Sequence, residues 1–351
     1  MNTIIKVDTF PSTSVGYIET SLMFPSIQKQ ILERFGDDQN LLINLTWFGP
    51  QFGGEGWNRL QNLILSNEKF NRIFWIGLID PATLSPELID NIEKKLQVKE
   101  KYYIGQAFPG NQTFNGTSLM IHDHLPEYNV DDLKLSSIQF LYLNYNRRPK
   151  PHRIELVEKL VVNKLNNFGL VTLGKDDQPY SVSQGKSTNL FFKIENDAKD
   201  DNLVCGTGSF GGVPHDIATL GRLDIWQKHF LNIVSESEFN PWDTTFVTEK
   251  TWKPIIGLRP FIINGQTDAY QWLRNNGFKT FNHYFNGIEL ENIKEYKVHD
   301  AVVEVVKYLT TVDKKEIMAM YNDMLPNLYY NRNRFFEFVE EQRYKLHHLF
   351  E

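Results

Sequence analysis

The sequence predicts an α/β protein built from two successive domains, and three observations support that prediction. Its 351 residues exceed what one ordinary core needs and suit two domains of about 150 residues each. Short apolar runs alternate with segments of helical spacing, which is typical of a parallel sheet covered by helices. The alternation begins again near residue 135, after a boundary region at residues 125–134.

In the first half, the predicted strands are short runs dominated by apolar residues, as expected for strands buried on both faces of a sheet. They are Leu41–Thr46, Arg72–Ile79 and Lys101–Ile104. The predicted helices are Trp57–Ser66, after the Gly-rich loop Gly49–Gly56, and Ser85–Leu96, with a serine N-cap and a proline in its first turn. This order of elements predicts one doubly wound domain.

In the second half, the same alternation predicts another α/β domain followed by helices. The predicted strands are Ser137–Leu143, His229–Ser235 and Pro260–Asn264, and the predicted helices are Arg153–Leu165, Thr248–Ile256, Asp268–Asn276 and Lys314–Glu351. We therefore divide the chain into an N-terminal α/β domain (1–133), a C-terminal α/β domain (134–312) and C-terminal helices (313–351) expected to pack back across the domains. Two Rossmann-like domains of this kind face a cleft, and ligands are expected beyond the carboxyl ends of the strands.

The composition excludes several classes of protein. The formal net charge of −6 gives no sign of a nucleic-acid coat or of membrane-surface binding. The single cysteine, Cys205, excludes an internal disulfide framework and a cysteine-cluster metal site. The first residues lack a secretory signal, and no apolar run approaches the roughly 18 residues that span a bilayer. We therefore expect a cytoplasmic protein without a membrane span, in the host cytoplasm if its source is viral, and leave the oligomeric state open.

A strand end and a helix start in the second half carry the residue types that bind a diphosphate. The strand at 229–235 is followed by Glu236, and Thr248, Glu249 and Lys250 then open the next helix. A helix N-terminus supplies a positive dipole and unpaired amides, both of which favour a diphosphate. We expect Thr248 to cap the helix, Glu249 to accept from a pair of ribose or sugar hydroxyls, and Lys250 to contact a phosphate. The alternatives are a solvated surface pair for Glu249 and Lys250, and a strand-end carboxylate without a ligand for Glu236.

A second basic element, Asn146–Arg153, lies between the first strand and the first helix of the C-terminal domain. Its two prolines keep the loop extended, and its position at the carboxyl end of a strand favours ligand binding. We predict that Arg148 and Arg153 belong to the same diphosphate site. The alternative is a solvated basic loop.

The stretch 230–254 resembles the α1,3-fucosyltransferase family, in which a strand ending Phe-Glu-Asn-Ser is followed by Asp-Tyr-(Val/Ile)-Thr-Glu-Lys. Val247–Lys250 matches that motif residue by residue, and Glu236 falls on the family's first Glu. Ser237 stands where the family has Asn, and Phe246 where it has Tyr. Both departures remove polar groups that could contact the donor, so the identity of the sugar, hexose or pentose, stays open.

The resemblance spans roughly residues 138–340, is specific at 230–281, and extends to relatives carried by viruses and bacteria. It implies a glycosyltransferase of the GT-B type that inverts the sugar and takes a GDP- or UDP-linked donor as its substrate, with no separate cofactor. The resemblance also implies that Arg153 grips the donor diphosphate, that 134–312 binds the nucleotide sugar and that 1–133 binds the acceptor. The acceptor would be a glycan or, given the absent targeting signals and AT-rich usage, a hydroxymethylated base in phage DNA.

An inverting transferase needs a base near the anomeric carbon to take the proton of the acceptor hydroxyl. Glu55 is the first candidate because the glycines around it let the backbone approach a ligand closely, although a tight turn with an exposed Glu is an equal alternative. Asp123 is the alternative base. Its neighbours His122 and His124 would face one side of a strand, as in a metal site, but a third ligand is missing and we predict no metal. A two-domain protein that binds a nucleotide or sugar without turnover is the alternative to an enzyme.

Overall fold

The computed structural model describes residues 3–6, 23–36, 39–44, 55–66, 69–77, 86–105, 115–146, 150–173, 209–210, 213–214, 219–239 and 245–351. In chain order the principal elements are β1 (Thr3–Lys6), α1 (Met23–Phe35), β2 (Asn40–Asn44), α2 (Glu55–Leu65), β3 (Arg72–Ile76), α3 (Pro86–Leu96), β4 (Glu100–Ile104), α4 (Gly116–His124), β5 (Phe140–Asn144), α5 (Pro151–Val162), β6 (Gly169–Val171), β7 (Ser209–Phe210), β8 (Val213–Pro214), α6 (Leu223–Trp226), β9 (His229–Ser235), α7 (Glu249–Ile256), β10 (Phe261–Asn264), α8 (Ala269–Asn275), α9 (Val298–Thr311) and α10 (Lys314–His347).

In the described residues, the strands form two four-stranded sheets in which every neighbouring pair is parallel, together with an antiparallel pair, β7 and β8. The first sheet has the order β1-β2-β3-β4, and the second has the order β10-β9-β5-β6. Leu42 lies opposite Phe74 in the first sheet, and Ser235 lies opposite Asn264 in the second. The central strands are apolar because helices cover the sheets. The predicted α/β class with parallel sheets is confirmed.

Strong local signals determine the elements around the second sheet. Strand β9 has the predicted bounds, since apolar residues dominate it on both sides of Asn232. Thr248 caps α7 as predicted, and its side chain accepts a hydrogen bond from the backbone N–H of Lys250. Gly277, just after α8, has a φ of +86° and therefore takes the left-handed conformation that glycine accommodates.

Two helices begin earlier than the sequence predicted. Helix α5 begins at Pro151 rather than Arg153, because a proline is well suited to the first turn, where its missing N–H has no helical partner. Helix α2 begins at Glu55, which places this candidate base in the first turn of a helix rather than in the Gly-rich loop before it. The side chain of Glu55 lies outside the described residues.

The strand conformation that was assumed for His122, Asp123 and His124 is wrong, because these residues end helix α4. The side chain of Asn115 caps that helix by accepting a hydrogen bond from Ser118 N at 2.8 Å. The alternation of faces along a strand does not apply to a helix, so the strand-based argument for joint chelation by His122 and His124 no longer holds. The side chain of His124 lies outside the described residues. Within the described ranges, no group of three or more His, Cys, Asp or Glu side chains is arranged to hold a metal ion.

One continuous cluster of buried apolar side chains extends from one face of the first sheet to the second sheet. It includes Ile31 and Phe74 on the first side, Leu231 and Ile262 on the second, and Leu328 of α10. A separate cluster covers the other face of the first sheet under α2 and α3. In the described part of the chain no helix is both long and apolar enough to cross a membrane, and α10, with 34 residues, carries charged residues along its length.

Helix α4 packs on α7 and α10 and fixes the residues that precede α7. Asn115 Nδ2 and Thr117 Oγ1 both donate to Val247 O, at 3.3 and 2.9 Å. Asn115 N donates to Gln342 Oε1 of α10 at 2.8 Å. The start of α7 is therefore held by the first turn of α4, which is itself held by α10.

Candidate functional site

Three parallel strands of the second sheet end side by side, and each ends in a small polar side chain. Asn144, Ser235 and Asn264 end β5, β9 and β10, and all three are buried. Asn144 Nδ2 and Asn264 Nδ2 both donate to Ser235 Oγ, at 3.1 and 3.4 Å. Residues 236–239, which we call the β9 loop, leave the sheet at this polar edge and lie between the starts of α5 and α7.

Glu236 is 1% exposed, and its carboxylate accepts hydrogen bonds from four donors within the protein. Its Oε1 accepts from Thr248 N at 3.1 Å and from Thr251 Oγ1 at 2.6 Å. Its Oε2 accepts from Thr248 Oγ1 and from Ser237 N, the latter at 3.3 Å. Glu236 therefore orders the first turn of α7, and a direct contact with a donor would have to replace one of these hydrogen bonds.

Two lysines from separate helix starts meet on Ser237. Lys250 Nζ donates to Ser237 Oγ at 3.1 Å, and also contacts Thr248 Oγ1 at 3.3 Å and Glu249 Oε1 at 2.5 Å. Lys150 Nζ donates to Ser237 O at 2.6 Å and to Glu238 Oε1 at 3.1 Å. Lys150 was not among the predicted site residues, and its place immediately before Pro151 at a helix start was the signal that could have indicated it.

Arg153 and His152 hold the backbone of the β9 loop from the first turn of α5. Arg153 is 4% exposed, and its Nη2 donates to Glu236 O at 3.0 Å. His152 Nε2 lies 3.0 Å from the same oxygen. Burial lowers the pKa of His152 to about 3, helped by the charge of Arg153, so the ring is neutral at pH 7 and donates its single proton here. His152 also stacks on Phe239, at 5.2 Å between ring centroids.

Glu249 is ionised because the lysines beside it outweigh the effect of burial. Burial alone would raise the pKa of this carboxyl, but the charge and hydrogen bond of Lys250, together with the charge of Lys253, lower it to about 2. The side chain is 12% exposed. It therefore presents a carboxylate that only accepts hydrogen bonds, as a pair of sugar or ribose hydroxyls requires.

Asp123 is tied to helix α10. It accepts from Arg343 Nη2 at 2.5 Å and lies 3.1 Å from His122 Nδ1. Burial favours the protonated form, but His122 and Arg343 outweigh it and lower the pKa of this carboxyl. A carboxylate stabilised in this way is a weaker proton acceptor. The other predicted positions, the side chain of Glu55 and all of Arg148, lie outside the described residues.

Comparisons with known proteins identify no family for this chain and one solved structure of low similarity. No protein-family model matches the chain, and no curated protein matches it. Among solved structures, the chain is similar to the crystal structure of AviGT4, a glycosyltransferase involved in avilamycin A biosynthesis. The identity is 11%, the match covers 98% of this chain and 97% of that chain, and the TM-score is 0.34. A TM-score this low does not define a shared fold.

Proposed function

We propose that the protein transfers a sugar from a GDP- or UDP-linked donor to an acceptor hydroxyl, with inversion and without a metal ion. The observation that carries the proposal is the meeting of Lys150 and Lys250 on Ser237. These cations come from two different helix starts, and both reach the loop at the carboxyl edge of a parallel sheet. Ligands of doubly wound folds bind at that edge, and helix N-termini favour phosphate groups.

The charges of the cluster suit a diphosphate that leaves during the reaction. In the transfer, the acceptor oxygen forms a bond to the anomeric carbon, the bond from that carbon to the diphosphate oxygen breaks, and the electron pair stays on the diphosphate. Lys150, Arg153 and Lys250 would stabilise the negative charge that develops there, in the role that a metal ion has in other transferases. The diphosphate would replace Ser237 and Glu238 as partners of the lysines.

Glu249 would bind two neighbouring hydroxyls of the donor, since its carboxylate is ionised and beside the phosphate-binding lysine. The proton of the acceptor hydroxyl would pass to a base of the N-terminal α/β domain, which would face the donor domain across a cleft of the GT-B type. Glu55 is the first choice for that base. Asp123 is the second, because its pairing with Arg343 weakens it as a proton acceptor. The acceptor would be a glycan or a hydroxymethylated base in phage DNA.

The test is a nucleoside diphosphate release assay on the full chain with a panel of GDP- and UDP-sugars and mixed acceptors. We expect one donor to support release, and the matching nucleoside diphosphate to raise the melting temperature, since it binds the native state. Lys250→Ala should lower both binding and release by about tenfold or more, because a charge-assisted contact with phosphate is lost.

Lys315→Ala is the matched control. Lys315 occupies the same second helical position of α10, after the N-cap Asp313, and is exposed. Its replacement should leave binding and release unchanged. Binding without release for every donor and acceptor would favour a non-catalytic nucleotide-binding protein, and the absence of both would refute the proposed function.

A further inference from the structure

A cavity of about 390 Å³ lies between the C-terminal end of α1, strand β4 and the residues that follow α10. Its lining residues include four aromatic residues and two basic residues, namely Phe35, Tyr102, Tyr103, Phe350, Arg34 and Lys101. Cavities that hold small molecules have volumes of about 300 to 1,000 Å³. The lining contains no residue of α5, α7 or the β9 loop, so the proposed donor site does not account for this cavity.

The aromatic walls are held in place by their mutual contacts. Tyr102 stacks on Phe74 with 4.8 Å between ring centroids and an interplanar angle of 10°. Phe35 lies 5.1 Å from Tyr102, and Phe350 meets Phe35 edge to face at 5.4 Å. Side chains fixed in this way lose little conformational freedom when a ligand binds. They therefore present a fixed aromatic surface against which a flat ring can pack.

The two cations differ in their partners. Glu93 is 3% exposed and accepts from Lys101 Nζ at 2.5 Å and from Tyr103 Oη at 2.7 Å, so the charge of Lys101 is compensated. Arg34, in the last turn of α1, is exposed and forms no ion pair with any residue in the described ranges. Among the described residues, the guanidinium of Arg34 is therefore the uncompensated positive charge at the cavity.

We infer that this cavity binds a small planar aromatic molecule that carries one anionic group, a phosphate or a carboxylate. Its ring would lie against Phe35, Tyr102 and Phe350, where offset and edge-to-face contacts stabilise it. Its anionic group would accept hydrogen bonds from Arg34, whose planar guanidinium matches both phosphate and carboxylate geometry. This inference does not depend on the proposed function.

The experiment is isothermal titration calorimetry on the full chain with 1-naphthyl phosphate and 1-naphthoate, which distinguish the two anionic groups. We expect saturable binding of at least one, and about tenfold weaker binding of uncharged 1-naphthol and of inorganic phosphate. Arg34→Gln should weaken the charged ligand about tenfold and leave 1-naphthol unchanged. Lys29→Gln is the matched control, because Lys29 is an exposed cation of the same helix that does not line the cavity.

Three results would overturn the inference. The first is the absence of saturable binding by either ligand, and the second is an Arg34→Gln variant that binds as tightly as the parent protein. The third is loss of binding in Lys250→Ala, because this loss would place the anion at the β9 loop instead. Unchanged binding in Lys250→Ala is the supporting result. Ligand binding that persists in a protein unable to bind or release any nucleoside diphosphate would refute the proposed function alone.

Discussion

Replacement of Glu236 by glutamine tests whether this residue orders the start of α7 or contacts a ligand. Each carboxylate oxygen accepts one backbone N–H, from Thr248 to Oε1 and from Ser237 to Oε2. A glutamine keeps only one acceptor oxygen, so one of these buried N–H groups would face an amide NH₂. The loss of its partner costs about 1–3 kcal/mol, and the remaining bonds lose the contribution of the negative charge, about 1 kcal/mol. We expect Glu236→Gln to lower the free energy of unfolding by about 3 kcal/mol.

The measurement is the midpoint of urea unfolding with the slope held constant, together with the affinity for the nucleoside diphosphate. Glu238→Gln is the control, since Glu238 is 25% exposed and its ion pair with Lys150, at 3.1 Å, contributes about 1 kcal/mol at most. An equal urea midpoint for the two variants, with nucleotide affinity lost only in Glu236→Gln, would refute the capping role. The same result would favour the direct donor contact predicted from the sequence.

Two further predictions concern α7. Burial would raise the pKa of Glu249, but Lys250 and Lys253 outweigh it and lower the pKa from 4.5 to about 2. The ionised form of Glu249 therefore stabilises the folded protein above pH 4.5, and this stabilisation is lost as the pH falls to 2. Urea unfolding at pH 5 and at pH 2.5 should show a larger loss for the parent protein than for Glu249→Gln, and equal losses would contradict the shift. A Cβ on Gly257 would lie 2.3 Å from the ring of Trp226, so Gly257→Ala should lower the melting temperature by several degrees, whereas an unchanged melting temperature would show that the ring can move.

Where a segment has a strong local signal, the sequence alone predicted its structure. Strand β9 is a run dominated by apolar residues, and α7 follows a threonine that can cap it, so both were placed within a residue. Helix α4 lacks such a signal because residues 115–121 are all buried, and a segment enclosed on every side has no polar face to mark its period. The elements β1, α1, β6 and α9 were missed as well.

The geometry of the candidate site was predicted only in part, because most of its contacts join residues that lie far apart in the sequence. Helix capping by Thr248 depends on neighbours in the chain, and the sequence predicted it. The four hydrogen bonds of Glu236 depend mainly on Thr248 and Thr251, which lie 12 and 15 residues away. Lys150 and Ser237 are 87 residues apart, and only the pairing of β5 with β9 brings them together. When a residue's partners follow a neighbouring strand, the local sequence pattern around that residue does not predict the contact.

The β9 loop also explains how two helix starts can act on one ligand. The carboxylate of Glu236 fixes α7, while its carbonyl oxygen is held by Arg153 and His152 of α5. One residue therefore sets the relative position of both helix N-termini before any ligand binds, so a diphosphate spanning them would meet a preorganised arrangement with a small entropic penalty. Ser237 is the position at which both lysines converge, and it is also where this chain departs from the Asn of the fucosyltransferase motif. Donor preference should therefore respond to Ser237 as well as to Glu249, because Ser237 holds Lys250 in place before a ligand binds, whereas Glu236 and Thr248 build the frame around it.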